Sequence, residues 1–86
     1  RGGIKMKVAK KQKMPAVLQE KGLKAYHKGG EVTNPYSGES IELNGLELSI
    51  YDLLIGCERH KMYDEFYICR DWFMKNNIDA YMILID

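Results

Sequence analysis

Cys57, His60 and Cys69 are the side chains of this sequence with the most recognisable chemistry. Thiolates and imidazole are preferred ligands of zinc, and Cys57-x-x-His60 has a usable ligand spacing. A tetrahedral site needs a fourth donor, which only His27 or a carboxylate such as Asp64 would supply, and a role as small core hydrophobes accounts for both cysteines without any metal. Read instead as nucleophile and base, Cys57 and His60 share a helix face if that helix runs far enough. An imidazole at a helix C-terminus is also stabilised by the helix dipole with no catalytic task. The sequence has no P-loop, no dinucleotide fingerprint and no Gly-x-Ser-x-Gly elbow. The expectation is a non-enzymatic protein with no catalytic residue, no metal site and no cofactor.

The second chemistry is electrostatic. From Arg1 to Lys28 nine cationic side chains face a single Glu20, a balance of +8, whereas from Gly29 to Asp86 four cations face eleven carboxylates, a balance of −7. The net charge of +1 therefore conceals a dipolar molecule whose two ends attract different partners, or each other. Lys5, Lys7, Lys10, Lys11 and Lys13 are candidate nucleic-acid contacts, because each lysine that neutralises a phosphate releases condensed counterions. With Arg1 as the one arginine of this stretch and Tyr26 its one aromatic, base stacking and bidentate recognition are poorly supplied, and contact would be to the backbone. The alternative is that these lysines are a solvated face, or that they dock on the acidic half of a neighbouring subunit.

A third candidate is apolar. The segment around residues 63–81 is rich in aromatic residues, with Phe66, Cys69 and Phe73 on one stripe and Tyr67, Met74 and Tyr81 on a second. A domain of this size cannot hide every such side chain, and an exposed aromatic and methionine patch is a usual protein-interaction surface. Tyr67 and Trp72 are the candidate contacts of a homo-oligomer, with core packing as the competing fate of Trp72.

The elements that must position these residues follow from pattern. The chain of 86 residues is long enough for a single domain, and at this length only about 60–65% of the unfolded surface is buried on folding. Ile4, Met6 and Val8 alternate with Lys5 and Lys7, which suits either a strand with one basic face or a loose arm, so residues 1–13 form a basic N-terminal strand or arm. Met14-Pro15 opens a short helix through Lys21 that Gly22 can stop. Asn34-Pro35-Tyr36-Ser37-Gly38 is a turn between two short strands, hence a β-hairpin. Asn44-Gly45-Leu46-Glu47 matches a capping box and opens a helix over about Gly45–Arg59, with Leu46, Ile50, Leu53, Leu54 and Cys57 inward and Ser49, Asp52, Gly56 and Arg59 outward. A second helix spans roughly Tyr63 to Asn76, with Tyr63, Phe66, Cys69, Trp72 and Phe73 as its packing face. The apolar run Ala80–Ile85 fits a buried strand or a short helix, and Asn77 with Asp79 as cap and first turn favours the helix. The expected fold is a small, helix-dominated α+β domain: one hairpin, two main antiparallel helices, and a hairpin-plus-helical core over residues 31–86.

The segments Asn34-Pro35-Tyr36-Ser37-Gly38, Leu46-Glu47-Leu48-Ser49-Ile50-Tyr51-Asp52, Asp71-Trp72-Phe73 and Asn76-Asn77-Ile78-Asp79-Ala80-Tyr81-Met82 resemble a group of small uncharacterised proteins of marine bacteriophages. The similarity covers about residues 31–86. It implies a viral protein acting in the host cytoplasm and carries over no activity and no functional residue. The absence of a membrane-span-length apolar run and of a signal-peptide hydrophobic region in the sequence also suggests a cytoplasmic protein without membrane partners. Together these features point to a binding or assembly protein that forms homo-oligomers, with a nucleic-acid-binding accessory role through the basic segment as the alternative.

Overall fold

The computed structural model describes residues 12–86. The strand or arm expected before Gln12, with Lys5, Lys7, Lys10 and Lys11, lies outside the described residues. Helix α1 spans Ala16–Glu20. The Pro15 carbonyl accepts from the Leu18 and Gln19 amides, and Leu18 is fully buried. The helix ends as the sequence suggests. Gly22 takes φ +95°, its amide bonds the Gln19 carbonyl, and the Leu23 amide reaches back to the Leu18 carbonyl, a complete Schellman termination.

Strands β1, Gly30–Thr33, and β2, Ser40–Leu43, pair antiparallel with Val32 opposite Ile41 and Gly30 opposite Leu43. Asn34 organises the turn between them. Its side-chain oxygen accepts from the Tyr36 amide at 2.8 Å, its amide donates to the Glu39 carbonyl, and its own carbonyl accepts from Gly38, which sits at φ +82°. Two strands alone are marginally stable in water, so the hairpin depends on laying Val32, Ile41 and Leu43 against the helical core.

Helix α2 spans Gly45–Arg59 and opens with the expected capping box. The Asn44 side chain accepts from the Glu47 amide at 2.8 Å, while the Glu47 carboxylate accepts from the Asn44 amide at 2.8 Å. Gly45 is required by close approach, since a Cβ there would collide with the Tyr26 carbonyl of the segment laid across the helix start. At the other end the helix closes with a second Schellman pattern. The Lys61 amide bonds the Glu58 carbonyl and the Met62 amide bonds the Cys57 carbonyl, but the left-handed position is held by Lys61 at φ 59° rather than by glycine.

Helix α3, Tyr63–Asn76, packs antiparallel against α2 and buries Cys69, Trp72 and Phe73. Asn77 then ends one helix and starts the next. Its amide bonds the Phe73 carbonyl, and its side-chain oxygen accepts from the Ala80 amide at 3.1 Å, capping the short helix α4, Ile78–Ala80. The chain closes in a π-helical turn over Tyr81–Ile85, so the apolar run is helical. One core joins every element: Leu18, Leu43, Ile50, Leu54, Cys69, Trp72, Phe73 and Ala80 form a continuous buried cluster. The fold is the helix-dominated α+β domain expected. Among the described residues no helix is long and apolar enough to cross a membrane.

One position on α2, Ser49, and one on α3, Tyr63, differ from the helical-wheel expectation. Ser49, expected outward, is fully buried, and its hydroxyl donates to the Leu46 carbonyl at 2.8 Å, which removes the cost of burying it. Glu47, a capping residue, is also buried, at 5% exposure. Tyr63, expected in the packing face of α3, is half exposed because it lies in the first turn, beyond the reach of the core.

Candidate functional site

The thiol and imidazole residues do not assemble. Cys57 and Cys69 are both buried free thiols, whereas His60 is the exposed C-cap residue of α2. Burial above all raises the pKa of both thiols. For Cys69 the value is pushed up to about 12, with burial first and then the neighbouring Cys57 and Glu65 as causes. For Cys57 burial again leads, Glu65 adds to it and Lys21 opposes it. Such thiols stay protonated and are poor nucleophiles and poor ligands. Among the described residues no group of three or more His, Cys, Asp or Glu side chains is placed to hold a metal ion.

A polar knot forms where the N-terminal segment, the start of α2 and the end of α3 meet. Beyond its capping bond, Glu47 uses its second carboxylate oxygen, Oε2, to accept from the Gln12 side chain at 2.7 Å and from the Asn77 side chain at 2.9 Å. Gln12 also accepts from the Asn44 side chain at 3.0 Å. The carboxylate is thus satisfied by amides and by its place in the first turn of α2, where the helix dipole favours negative charge. Every member of the knot is occupied in holding the chain together, so it is a folding device rather than a ligand site.

The outer face of α3 carries the surface that sequence pointed to, with one change of membership. Tyr67 is 47% exposed. Trp72, the other candidate contact, is only 7% exposed: its indole N–H donates to the Lys13 carbonyl at 2.8 Å, and its ring meets Phe73 edge-on at 5.2 Å. Trp72 belongs to the core. The spacing held the signal, since Trp72 lies three residues from Cys69 on the stripe shared with Phe73.

Tyr63 and Met74 join Tyr67 on the open side. The Tyr63 and Tyr67 rings lie 6.5 Å apart, Phe66 meets Tyr67 edge-on at 5.5 Å, and the Arg70 guanidinium sits 4.7 Å from the centre of the Tyr67 ring. Arg70 also pairs with Asp71 at 3.3 Å. Residues 63, 67, 70 and 74 step by four, three and four, the spacing that keeps one face of a helix aligned over about 16 Å. The result is an exposed stripe, aromatic and thioether in character, with one cation over its central ring.

Of the candidate nucleic-acid contacts, the described residues include Lys13 alone, which is exposed. Lys24 and Lys28 are exposed too, while Lys21 pairs with Glu65 at 3.1 Å and holds that carboxyl below its ordinary value.

An open groove of about 680 Å³ runs between α2, the hairpin tip and the last turn. Its floor is apolar, from Leu54, Ile55, Phe66, Leu84 and Ile85, and Asp52, Glu58, Arg59 and Asp86 line its edges. The Asn34 side chain donates to the Ile83 carbonyl at 2.8 Å and so fastens the hairpin tip to the last turn. Tyr26 donates to Asp52 at 2.7 Å from outside, and that bond, followed by burial and the carboxylate's charge, raises the phenol's pKa.

Comparison of the chain with family models, with curated proteins and with solved structures finds no match.

Proposed function

We propose that this chain is a non-enzymatic binding and assembly protein that self-associates through the outer face of α3. The observation that carries the proposal is the exposed stripe of Tyr63, Tyr67 and Met74 with Arg70 over Tyr67. Tyrosine, methionine and arginine are the residues enriched at protein interfaces, and a stripe on one straight helix is self-complementary when two copies meet about a two-fold axis. The resemblance to bacteriophage proteins fits a small assembly component working in a host cytoplasm. Sedimentation velocity across the micromolar range tests this. The parent should show a species larger than its 10.0 kDa monomer, and Tyr67→Glu should shift it towards monomer. A parent that is monomeric throughout, or a variant that associates like the parent, contradicts the proposal.

A second function, nucleic-acid binding, is favoured by the exposed Lys13, Lys24 and Lys28, none of which pairs with a carboxylate among the described residues. They extend the basic run of Lys5, Lys7, Lys10 and Lys11. Binding to a labelled oligonucleotide should then be nearly sequence-independent and fall with salt by about one logarithmic unit of slope per phosphate neutralised. No signal at low salt removes this function.

A further inference from the structure

We propose that two copies of α3 pack antiparallel in one charge-matched register: Tyr67 against the partner's Arg70, Tyr63 against the partner's Met74, and Asp64 beside the partner's Lys75. The proposal rests on self-association through α3 and adds which residues meet. Positions 63, 67, 70 and 74 step by four, three and four, the alternating spacing of the two inward positions of a heptad seam. Their order has a symmetry. Reversing the stripe about the midpoint of residues 68 and 69 exchanges 63 with 74 and 67 with 70, so an antiparallel pair with its two-fold axis near that point sets all four positions in facing layers.

The facing layers are chemically complementary. The outer layers bring the Met74 thioether to the partner's Tyr63 ring, and the central ones bring Arg70 to the partner's Tyr67 ring. Arg70 is suited to that place. Its guanidinium lies 4.7 Å from the centre of its own Tyr67 ring and bonds Asp71 at 3.3 Å through one terminal nitrogen, while its Nε is buried without an acceptor among the described residues. A swing of the guanidinium towards the partner gives it a second aromatic face and relieves that unmet donor.

Charge selects the same register. Asp64, Ile68, Asp71 and Lys75 each follow a stripe residue by one position, so they form a row along one side of it with the same four, three, four spacing. Reversal of this row exchanges Asp64 in the first turn with Lys75 in the last, both exposed and neither in an ion pair among the described residues. The antiparallel pair therefore gains the Asp64 and Lys75 attraction twice. A parallel pair sets Asp64 beside Asp64, Arg70 beside Arg70 and Lys75 beside Lys75, and each of these repels.

Two cysteine variants read the register directly. Tyr63→Cys and Met74→Cys chains are incubated in a glutathione disulfide buffer at neutral pH, each alone and as an equimolar mixture, and covalent dimer is followed by non-reducing electrophoresis. Cys57 and Cys69, buried and protonated, are common to every sample. The mixture should form covalent dimer on the order of tenfold faster than either variant alone, because 63 faces 74 whereas like positions lie about 16 Å apart along the axis, beyond the roughly 7 Å a disulfide tolerates. Charge reversal tests the register without new thiols. Asp64→Lys and Lys75→Asp should each weaken association about tenfold in sedimentation at low salt, and mixing the two should regain it, since every flanking contact then joins opposite signs. The register is overturned by variants that cross-link as fast alone as when mixed, by a mixture that sediments as associated yet does not cross-link, or by reversed chains that associate like the parent. Failure of the α3 proposal itself is a different result, a parent that stays monomeric, and it removes the register as well.

Discussion

Helices α2 and α3 are nearly equal in length, 15 and 14 residues, yet they are finished in opposite ways. Helix α2 is closed by local hydrogen bonds at its start, carries a buried carboxylate in its first turn, and is met by α3, by β2 and by Tyr26, which bonds the Gly45 carbonyl and Asp52. Helix α3 has no side-chain cap at its start and buries only one face, leaving Tyr63, Tyr67 and Met74 exposed. The contrast teaches a division of labour: α2 is the centre around which the chain folds, and α3 is the helix that the fold presents.

The largest break in that contrast should come from the residue by which α3 reaches the core. Trp72→Ala removes a buried indole and leaves the Lys13 carbonyl unpaired, and should cost about 3–5 kcal/mol in urea unfolding. Trp72→Glu should unfold the chain rather than dissociate an oligomer. Next comes the polar knot. Glu47→Ala leaves the Asn44 amide and the Gln12 and Asn77 side chains without their acceptor and should cost about 3 kcal/mol, whereas Asn44→Ala, which loses a neutral cap, should cost about 1 kcal/mol. Equal and small losses from both would show that the buried carboxylate is not central to α2.

Alkaline pH sharpens the comparison from the core between the two helices. In the folded chain Cys69 keeps its proton to about pH 12, while in the unfolded chain it ionises at its ordinary value near 8.5, so the unfolded state binds fewer protons between those limits. Stability should therefore fall as pH rises through that window, with Cys69→Ala flattening the decline in thermal midpoint. Tyr51, raised mainly by burial, adds a decline of the same sign above its ordinary value. A midpoint independent of pH up to 11 would contradict the buried, protonated thiol. The smallest effect belongs to the link between the helices. Lys61→Gly should stabilise by about 0.5–1 kcal/mol, because lysine is held there in a left-handed conformation that glycine adopts without strain.

Local signals explain why so much of this fold was legible in sequence. Asn44 and Glu47 satisfy each other within four residues, Gly22 and Gly38 occupy the positive φ positions their turns require, and Asn77 ends α3 where its pattern stops. What sequence missed was set by tertiary contacts. Glu47 is buried because Gln12 and Asn77, 35 and 30 residues away, supply its donors, and helical periodicity carries no trace of them. Ser49 is covered by its neighbours in the fold, and a bond within its own helix to the Leu46 carbonyl satisfies the hydroxyl there. Trp72 was separable from Tyr67 by its spacing from Cys69, and what the sequence could not show is that the Lys13 carbonyl satisfies its indole N–H. The groove was illegible for the same reason, since Asn34 must meet the Ile83 carbonyl before its walls exist.

The division of labour is tested most directly by measuring thermal unfolding and sedimentation on the same preparation of Tyr67→Glu. Exposed Tyr67 contributes little to folding, so the midpoint of the variant at low protein concentration should match that of the parent, while its association at micromolar concentration should be lost or sharply weakened. A variant that unfolds at markedly lower temperature, or that associates as the parent does, would contradict the assignment of α3 as the presented face.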